Sequence, residues 1–496
     1  MPSTLDSGLR VAADEGPQAL LKQVGDVLAA NPDIARSPES AGRLARSASM
    51  LVHEFQGENV PVYREIAAKI IAAAPEDVRA GVSRAVAEAV REVAKADPEL
   101  RKPLVGDMEA LTELGQRENA DVKPSRGVDV GSFTLYPEVQ VSSFHDDNIF
   151  ATKTARKTDF VTVVSPQLYM GSNWEKHSLN FQAHTDITRY ASHLREDSTD
   201  YWASSEGTYD VTDTTKAFGG ALYGRWHEDR ASPDNENGLQ PTLYDEVRGY
   251  GGMSHQFGDW TVKMGGTWQQ LIFEDTPTAT GIILNGDRDR SHVTAGIRNT
   301  YHLNDVFEPY VDTSYDQRTY RLNVDTNGFR RDSNGYRLTA GTDIHLAGTL
   351  VGEVYGGYMR QDYRDPALED VAVPGYGGNL RWAVLTDLLL SAWTDRSIQE
   401  TTLYGASSYV YTSSGTTLDY SLTQSLVLTL RGAYANSTFS GSGRLDNDYE
   451  AGFGLRYNFT DTLYVASDYR YQRRFSTASF AEFDRQQIFI RVGAAY

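Results

Sequence analysis

Three features of the 496-residue sequence predict a chain of α+β class divided by segment. Residues 1–128 read as an N-terminal all-α helical domain with a linker, and residues 129–496 as a transmembrane antiparallel β-barrel of about 18 strands. First, the period of the hydrophobic residues changes from helical to two after Gly131. Second, tight turns alternate with long polar loops along the second part. Third, the closing stretch QQIFIRVGAAY keeps its alternation to the last residue, where chains ordinarily fray.

Composition narrows the alternatives. A formal charge of −20 argues against a nucleic-acid binder, which needs a basic patch. With no cysteine there is neither a disulfide frame nor a thiol site. No run approaches the ~18 consecutive apolar residues of a membrane-spanning helix. Twenty-nine tyrosines against 18 phenylalanines, with 43 glycines, suit strands, turns and aromatics that favour the boundary between lipid and water. The opening MPSTLDSGLR lacks a basic n-region and an apolar h-region, so it does not read as a signal peptide; we expect a leader to have been removed.

The helical part runs from about Gly16 to Glu118. Leu20, Leu21, Val24, Val27 and Leu28 stand at helical spacing, as do Ile66, Ile70 and Ile71 before Pro75. Beyond Pro75, Val78, Val82, Val86 and Val90 recur every fourth residue. Glu76 and Asp77 lie early in that helix and Lys95 late, which suits its dipole. Such stripes predict a small bundle or stack; a helical plug inside a channel is the alternative. The polar stretch ENADVKPSRGVDVG (118–131) reads as a linker.

In the barrel part, DYEAGFGLRYNF places Tyr449, Ala451, Phe453, Leu455, Tyr457 and Phe459 on one face. Glu450, Gly452, Gly454, Arg456 and Asn458 fall on the other, and SLVLTLRGAYAN and GYRLTAGTDIHL alternate likewise. Turns are expected at 173–176, 212–214, 258–259, 304–305, 347–348, 386–387, 423–424 and 460–461, roughly every forty residues. Between them lie long polar stretches such as HEDRASPDNENGLQPTLYD (227–245). Short turns at one end and long loops at the other are the habit of an outer-membrane barrel. Eight turns leave nine loops, hence nine up-and-down pairs and eighteen strands, an even number that can close.

The last strand is then expected to pair with the first, near FTLYPEVQVSS (133–143), so that no edge stands open in lipid. Ile488, Ile490, Val492 and Ala494 would meet lipid, Arg491 the lumen, and Tyr496 the periplasmic interface. Trp260, Tyr301, Phe307, Leu346, Phe459 and Tyr496 all lie beside expected turns, as an interfacial girdle should.

The opposite register supplies the channel-lining candidates: Asp186, Glu206, Arg225, Arg248, Lys263, Arg298, Glu308, Asp312, Asp343, Glu353, Arg381, Arg431, Arg456, Asp468, Arg470 and Arg491. Both signs are present. Such groups can bind hydroxyl-rich chains weakly in many equivalent steps, or they can pair with one another and merely hold the wall. Barrels of 16–18 strands are wide enough for an aqueous channel. Enzyme motifs are missing: there is no G-x-S-x-G, H-E-x-x-H or P-loop, and no catalytic residue or cofactor is expected. His145, Asp146 and Asp147 in FHDDNIF could suggest a cation site, but two acids and a histidine at a strand end more often organise a loop, and no metal is expected.

YPEVQVSSFHDDNIFATKTARKTDFVTVVSPQL (136–168) resembles the opening of the type-two β-barrel porin family of Gram-negative bacteria. The shared features are Pro137, then Asp146, Asp147, Asn148 and Ile149, then Asp159, then Ser165 and Pro166; His145 stands where the family has tyrosine or a small residue. The resemblance implies an outer-membrane location in contact with lipid, often beside exopolysaccharide export genes. It implies a conduit for a secreted polysaccharide, with residues 1–128 meeting periplasmic export machinery. A general or sugar-uptake porin and a structural anchor with a blocked lumen are the alternatives.

Overall fold

The computed structural model describes residues 127–495 apart from 175, 236, 237, 280, 347 and 348. Before these it describes residues 17–37 and, singly, 9, 40, 41, 44, 45, 48, 66, 69, 70, 73 and 75. The chain divides into two compact units, Met1–Asp121 and Val122–Tyr496.

In the first unit, α1 (Pro17–Ala30) is followed by α2 (Pro32–Arg36). All five apolar residues of the first stripe, Leu20, Leu21, Val24, Val27 and Leu28, are buried, as are Ile66 and Ile70 of the second. Pro32 opens α2, where its missing N–H would have had no partner in any case. Ile71, the helix expected beyond Pro75 and residues 118–126 of the expected linker lie outside the described residues.

The second unit is a closed antiparallel barrel of eighteen strands. The first six are β1 (Phe133–Asp146), β2 (Asp159–Ser172), β3 (Ser178–Tyr190), β4 (Ser198–Thr212), β5 (Thr215–His227) and β6 (Leu243–Phe257). Then come β7 (Trp260–Phe273), β8 (Arg290–Tyr301), β9 (Phe307–Tyr320), β10 (Ser333–Leu346), β11 (Leu350–Tyr363) and β12 (Val371–Leu385). The last are β13 (Leu388–Glu400), β14 (Ser408–Ser421), β15 (Leu426–Ser440), β16 (Leu445–Asn458), β17 (Leu463–Ser476) and β18 (Phe483–Ala495). Each pairs with the next, and β18 closes on β1 from Asp146↔Gln487 to Glu138↔Ala495. The part of β1 beyond that ladder is covered by the short strand Val128–Val130, which folds back on Phe133–Leu135 through Gly131, whose φ of +62° a side chain would resist.

The expected turns fall between strands at one end of the barrel, except that residues 347–348, between β10 and β11, lie outside the described residues. The nine connections at the other end reach from 147–158 to 477–482, the longest being 228–242 and 274–289. The expected contrast in length fails at one of them: residues 441–444 join β15 to β16 as tightly as a turn at the opposite end. Gly441, at φ +85°, permits that bend.

Alternation sorts the two faces. Along β18, Ile488, Ile490 and Val492 are 54%, 60% and 47% exposed, while Phe489 between them is 8% exposed. The exposed apolar face is the convex one, because hydrogen bonds that skip strands gather along the other. Arg298 of β8 reaches Glu353 of β11 at 2.8 Å, and Tyr355 of β11 reaches Asp395 of β13 at 3.0 Å. Side chains of non-adjacent strands converge on a concave surface and diverge on a convex one. At the turn end the outer face carries exposed Trp260, Phe307, Leu346 and Phe459, with Tyr301 packed 4.9 Å from Trp260. Tyr496 lies outside the described residues.

One stretch of wall departs from the cylinder. β12 and β13 pair only from Gly377↔Asp395 to Leu385↔Leu388, although both strands run further toward the long loops. Pro374 sits in the unpaired part of β12, and proline has no N–H to donate to a ladder. Past the split, Ile398 and Val410 continue the register of outward Leu390 and Leu418, yet both are buried with Met359, Tyr363, Leu368 and Val371. Met359, Tyr363 and Val371 belong to the inner face of β11 and β12. The end of the β13–β14 hairpin therefore leaves the wall and lays its outer face on the inside of the neighbouring strands. Glu400 at its tip is bonded by Arg318 and Tyr320 of β9 and, at 3.3 Å, by Tyr363 of β11.

Candidate functional site: the barrel interior and its long-loop end

Fifteen of the sixteen sequence candidates fall on the inner face, because each shares the register opposite to the exposed apolar residues of its strand. Arg225 is the exception. It stands directly opposite outward Tyr201, pairs in register with Asp245, and binds Asp245 at 3.3 Å and also Glu274. It belongs to the outer face at the long-loop end. In β5 the large apolar residues Phe218, Leu222 and Trp226 share the inward register while Tyr223 faces out, so the apolar pattern points its phase the wrong way.

The inner candidates are mostly engaged with neighbours. Asp186 accepts a hydrogen bond from Ser165 at 2.5 Å and meets His184 at 3.0 Å. Glu206 accepts from Asn180 and Tyr250, and Arg248 donates to Glu246. Lys263 lies 4.8 Å over the ring of Phe218. Arg298 stacks 3.6 Å from the ring of Tyr310 while binding Glu353. Glu308 is bonded to His302 at 2.7 Å, and Asp312 faces Arg298 in register. Asp343 stands in register between Glu308 and Glu353. Arg456 stacks 3.6 Å from Tyr464 and donates to Asn458. Asp468 meets Arg491 at 3.4 Å, and Arg470 meets Glu450 at 3.7 Å. Arg381 and Arg431 share this face on β12 and β15.

Asp146, Asp147 and Asn148 act together at the seam where the barrel closes. Asp146 accepts from the Asn148 N–H at 2.8 Å and from the Gln487 amide at 2.8 Å. Asp147 accepts the Gln486 N–H at 2.7 Å. Asn148 has no exposed surface; its amide donates to the carbonyls of Thr152 and Asp484 and accepts from Thr152. Loop 147–158 is thereby fastened to β18. His145 turns away to Thr158 at 2.8 Å, and no group of three or more potential metal ligands occurs among the described residues.

The sequence reading missed the role of loop 228–242, the connection between β5 and β6. Its Arg230 forms two bonds to Glu196, at 2.8 and 2.7 Å, and its Glu228 receives two from Arg288, at 3.2 and 2.7 Å. All four side chains are buried. Burial, which disfavours its charged form, raises the pKa of Glu228 despite the Arg288 guanidinium beside it. The loop then leaves its own side of the barrel. The carbonyl of Ala231 accepts from Arg474 on the inner face of β17 at 2.8 Å, and Asp234 accepts from Thr401, which follows β13. β13 is eight strands away from β5 in a ring of eighteen, but its infolded tip comes inward to meet the loop, whose Asp234 also lies 3.8 Å from Arg288 at its own root; loop and tip meet within the long-loop end. Nothing local in HEDRASPDNENG specifies those partners, because each lies far away in the sequence.

Among solved structures, the chain is similar to OpdL of Pseudomonas aeruginosa, with 12% identity and a TM-score of 0.40 over 74% of this chain and 99% of that one. It is similar to OccK2 (OpdF) of the same organism in complex with glucuronate, at 10% identity and a TM-score of 0.40 over 73% and 98% of the two chains. A mutant of the ferric enterobactin receptor PfeA of Pseudomonas aeruginosa gives 9% identity and a TM-score of 0.42 over 73% and 80%. Comparison with curated proteins finds no match. Residues 123–496 match a protein family over the whole of the barrel, and the chain therefore belongs to the family described as "Putative beta-barrel porin 2".

Proposed function

We propose that this porin-like outer-membrane barrel is a restricted channel for small polar solutes, sugars among them. Loop 228–242 carries the reading: together with the infolded β13–β14 tip that it meets at Thr401, and with its contact to Arg474 on the inner face of β17, it narrows what an eighteen-stranded barrel would otherwise leave open. The fifteen inner-face candidates, Asp186 through Arg491 without Arg225, line the passage in this reading. Because most are paired, they give a polar wall of hydrogen-bonding edges rather than a site of one sign. Full-length protein in a planar bilayer should conduct ions, and vesicles containing it should swell in mono- and disaccharides but not in long dextrans. Absence of both conductance and swelling would overturn the reading.

A second reading, a conduit for secreted polysaccharide, is favoured by the N-terminal unit, which a simple pore does not need. In it residues 1–128 form a periplasmic helical domain that docks on export machinery. Cells carrying a chain without residues 1–128 should then lose surface polymer while keeping an inserted barrel. Export at the normal level would leave only the first reading.

A further inference from the structure

We propose that the split between β12 and β13 holds a phosphate-bearing headgroup of an outer-leaflet lipid against Arg396. The inference rests on the outer-membrane location and is independent of what passes through the lumen. Arg396 occupies the lipid-facing register of β13, after Leu388, Leu390, Ala392 and Thr394. The ladder to β12 stops at Gly377↔Asp395, so Arg396 is the first outward residue of β13 beyond the split. Tyrosines mark its depth. Tyr201, Tyr223, Tyr315, Tyr336, Tyr358 and Tyr376 all face outward and stand exposed toward the long-loop end, as an aromatic girdle at the outer interface should. The Arg396 guanidinium lies 5.4 Å from the ring of Tyr376.

The state of its donors carries the inference. Nη1 donates to the Tyr376 hydroxyl at 3.3 Å and to the Thr412 hydroxyl at 3.2 Å. Nε is buried without a partner, and Nη2 makes no hydrogen bond among the described residues. Those two N–H groups form the side-on edge of a guanidinium, the fork that takes two oxygens of a phosphate at once. Arg396 also lacks a carboxylate: among the described residues it forms no ion pair, whereas on the same outer face Arg225 binds Asp245 and Glu274, and Arg360 binds Asp362. A cation at the edge of the hydrocarbon needs a counter-charge, which lipid tails cannot supply and anionic headgroups can. Beside it Thr394 and Ser414, bonded to each other at 2.8 Å, put hydroxyls in the lipid-facing register. Beyond it the tip of β13–β14 turns inward, so the outer surface is set back where a headgroup would lie.

The full chain in nonionic detergent, titrated with lipid A as a phosphorylated glycolipid, should retain the lipid in native mass spectrometry. Arg396→Gln should bind it about tenfold more weakly or worse. Arg360→Gln, which removes an arginine already paired, should bind as the parent does. Equal binding by the parent and Arg396→Gln would overturn the site. So would an equal loss in Arg360→Gln, since outer-face charge in general would then hold the lipid. Arg396→Lys keeps the charge without the fork and should bind more weakly than the parent. Should Arg396→Gln fail to shift its migration on heating, as a folded barrel does, Arg396→Lys decides: binding equal to the parent's would overturn the fork. Displacement of the lipid by millimolar inorganic phosphate would show a plain anion site and overturn the lipid as its occupant.

Discussion

Asn148 and Asp147 are neighbours in one motif with different energetic weights. Asn148 is fully buried and satisfies three backbone groups of two segments, the Thr152 carbonyl and N–H and the Asp484 carbonyl. Asn148→Ala would leave those partly buried groups without this partner, at about 2–4 kcal/mol for the set. Asp147 makes one such bond, to the Gln486 N–H in a more exposed setting, so Asp147→Ala should cost about 1 kcal/mol or less. Urea unfolding of the two variants in detergent would rank them; equal losses would contradict the seam as described. Asp365 offers a pH handle in the connection between β11 and β12. The N–H groups of Arg330 and Ala367 donate to its carboxylate and hold its pKa below the ordinary value. A lowered pKa means stability present above the ordinary carboxylate range and lost as pH falls through the folded-state value. Cleavage by a protease active in acid should therefore open loop 364–370 as pH drops below about 4. Asp365→Asn should remove most of that dependence, and an identical pH profile would refute the assignment.

At the scale of elements, the split between β12 and β13 makes a prediction that a plain cylinder would not. Ile398 shares the register of lipid-facing residues, yet it is 8% exposed within a cluster formed with Met359, Tyr363 and Val371. Ile398→Ala should cost about 2–4 kcal/mol, as for a packed core site. Ile490→Ala on the lipid face should cost clearly less, since lipid fills the space around the smaller side chain. Similar unfolding midpoints for the two would argue that β13 stays in the wall. Alternation and turn spacing made the strands legible in the sequence. The infolding was not, because Pro374 announces only that a donor is missing. Where the released hairpin then packs depends on Tyr363, Leu368 and Arg318, residues of other strands and loops. Arg225 shows the same limit at smaller scale: in GGALYGRWH, Leu222 and Trp226 mark one phase and Tyr223 the other, and conflicting markers do not fix a register.

For the whole molecule, closure is the condition on which the rest depends. The number of strands and the pairing of first with last could be read from periodicity, because a barrel in lipid permits no open edge. Deleting residues 492–496 removes the β18 partners of Glu138 to Val141 and exposes backbone groups at several kcal/mol each. The truncated chain should be degraded or remain periplasmic; normal outer-membrane levels would contradict the closure. Loop 228–242 was illegible for the opposite reason. Its anchors, Glu196, Arg288, Thr401 and Arg474, are brought together only by the curvature of the finished barrel.

The short strand Val128–Val130 has a mechanical meaning. It is the segment through which any tug on the preceding chain would reach the barrel, and it meets β1 as a hairpin of three residue pairs turning at Gly131. Force applied upstream of residue 127 would peel that hairpin one pair at a time, which needs far less tension than shearing a long ladder. The hairpin is thus a fuse that yields before the β1–β18 seam is loaded. In a single-molecule pull from the N-terminal side, a small first extension at low force should precede any rupture of the barrel; a first event that opens the whole wall would show that no such fuse exists.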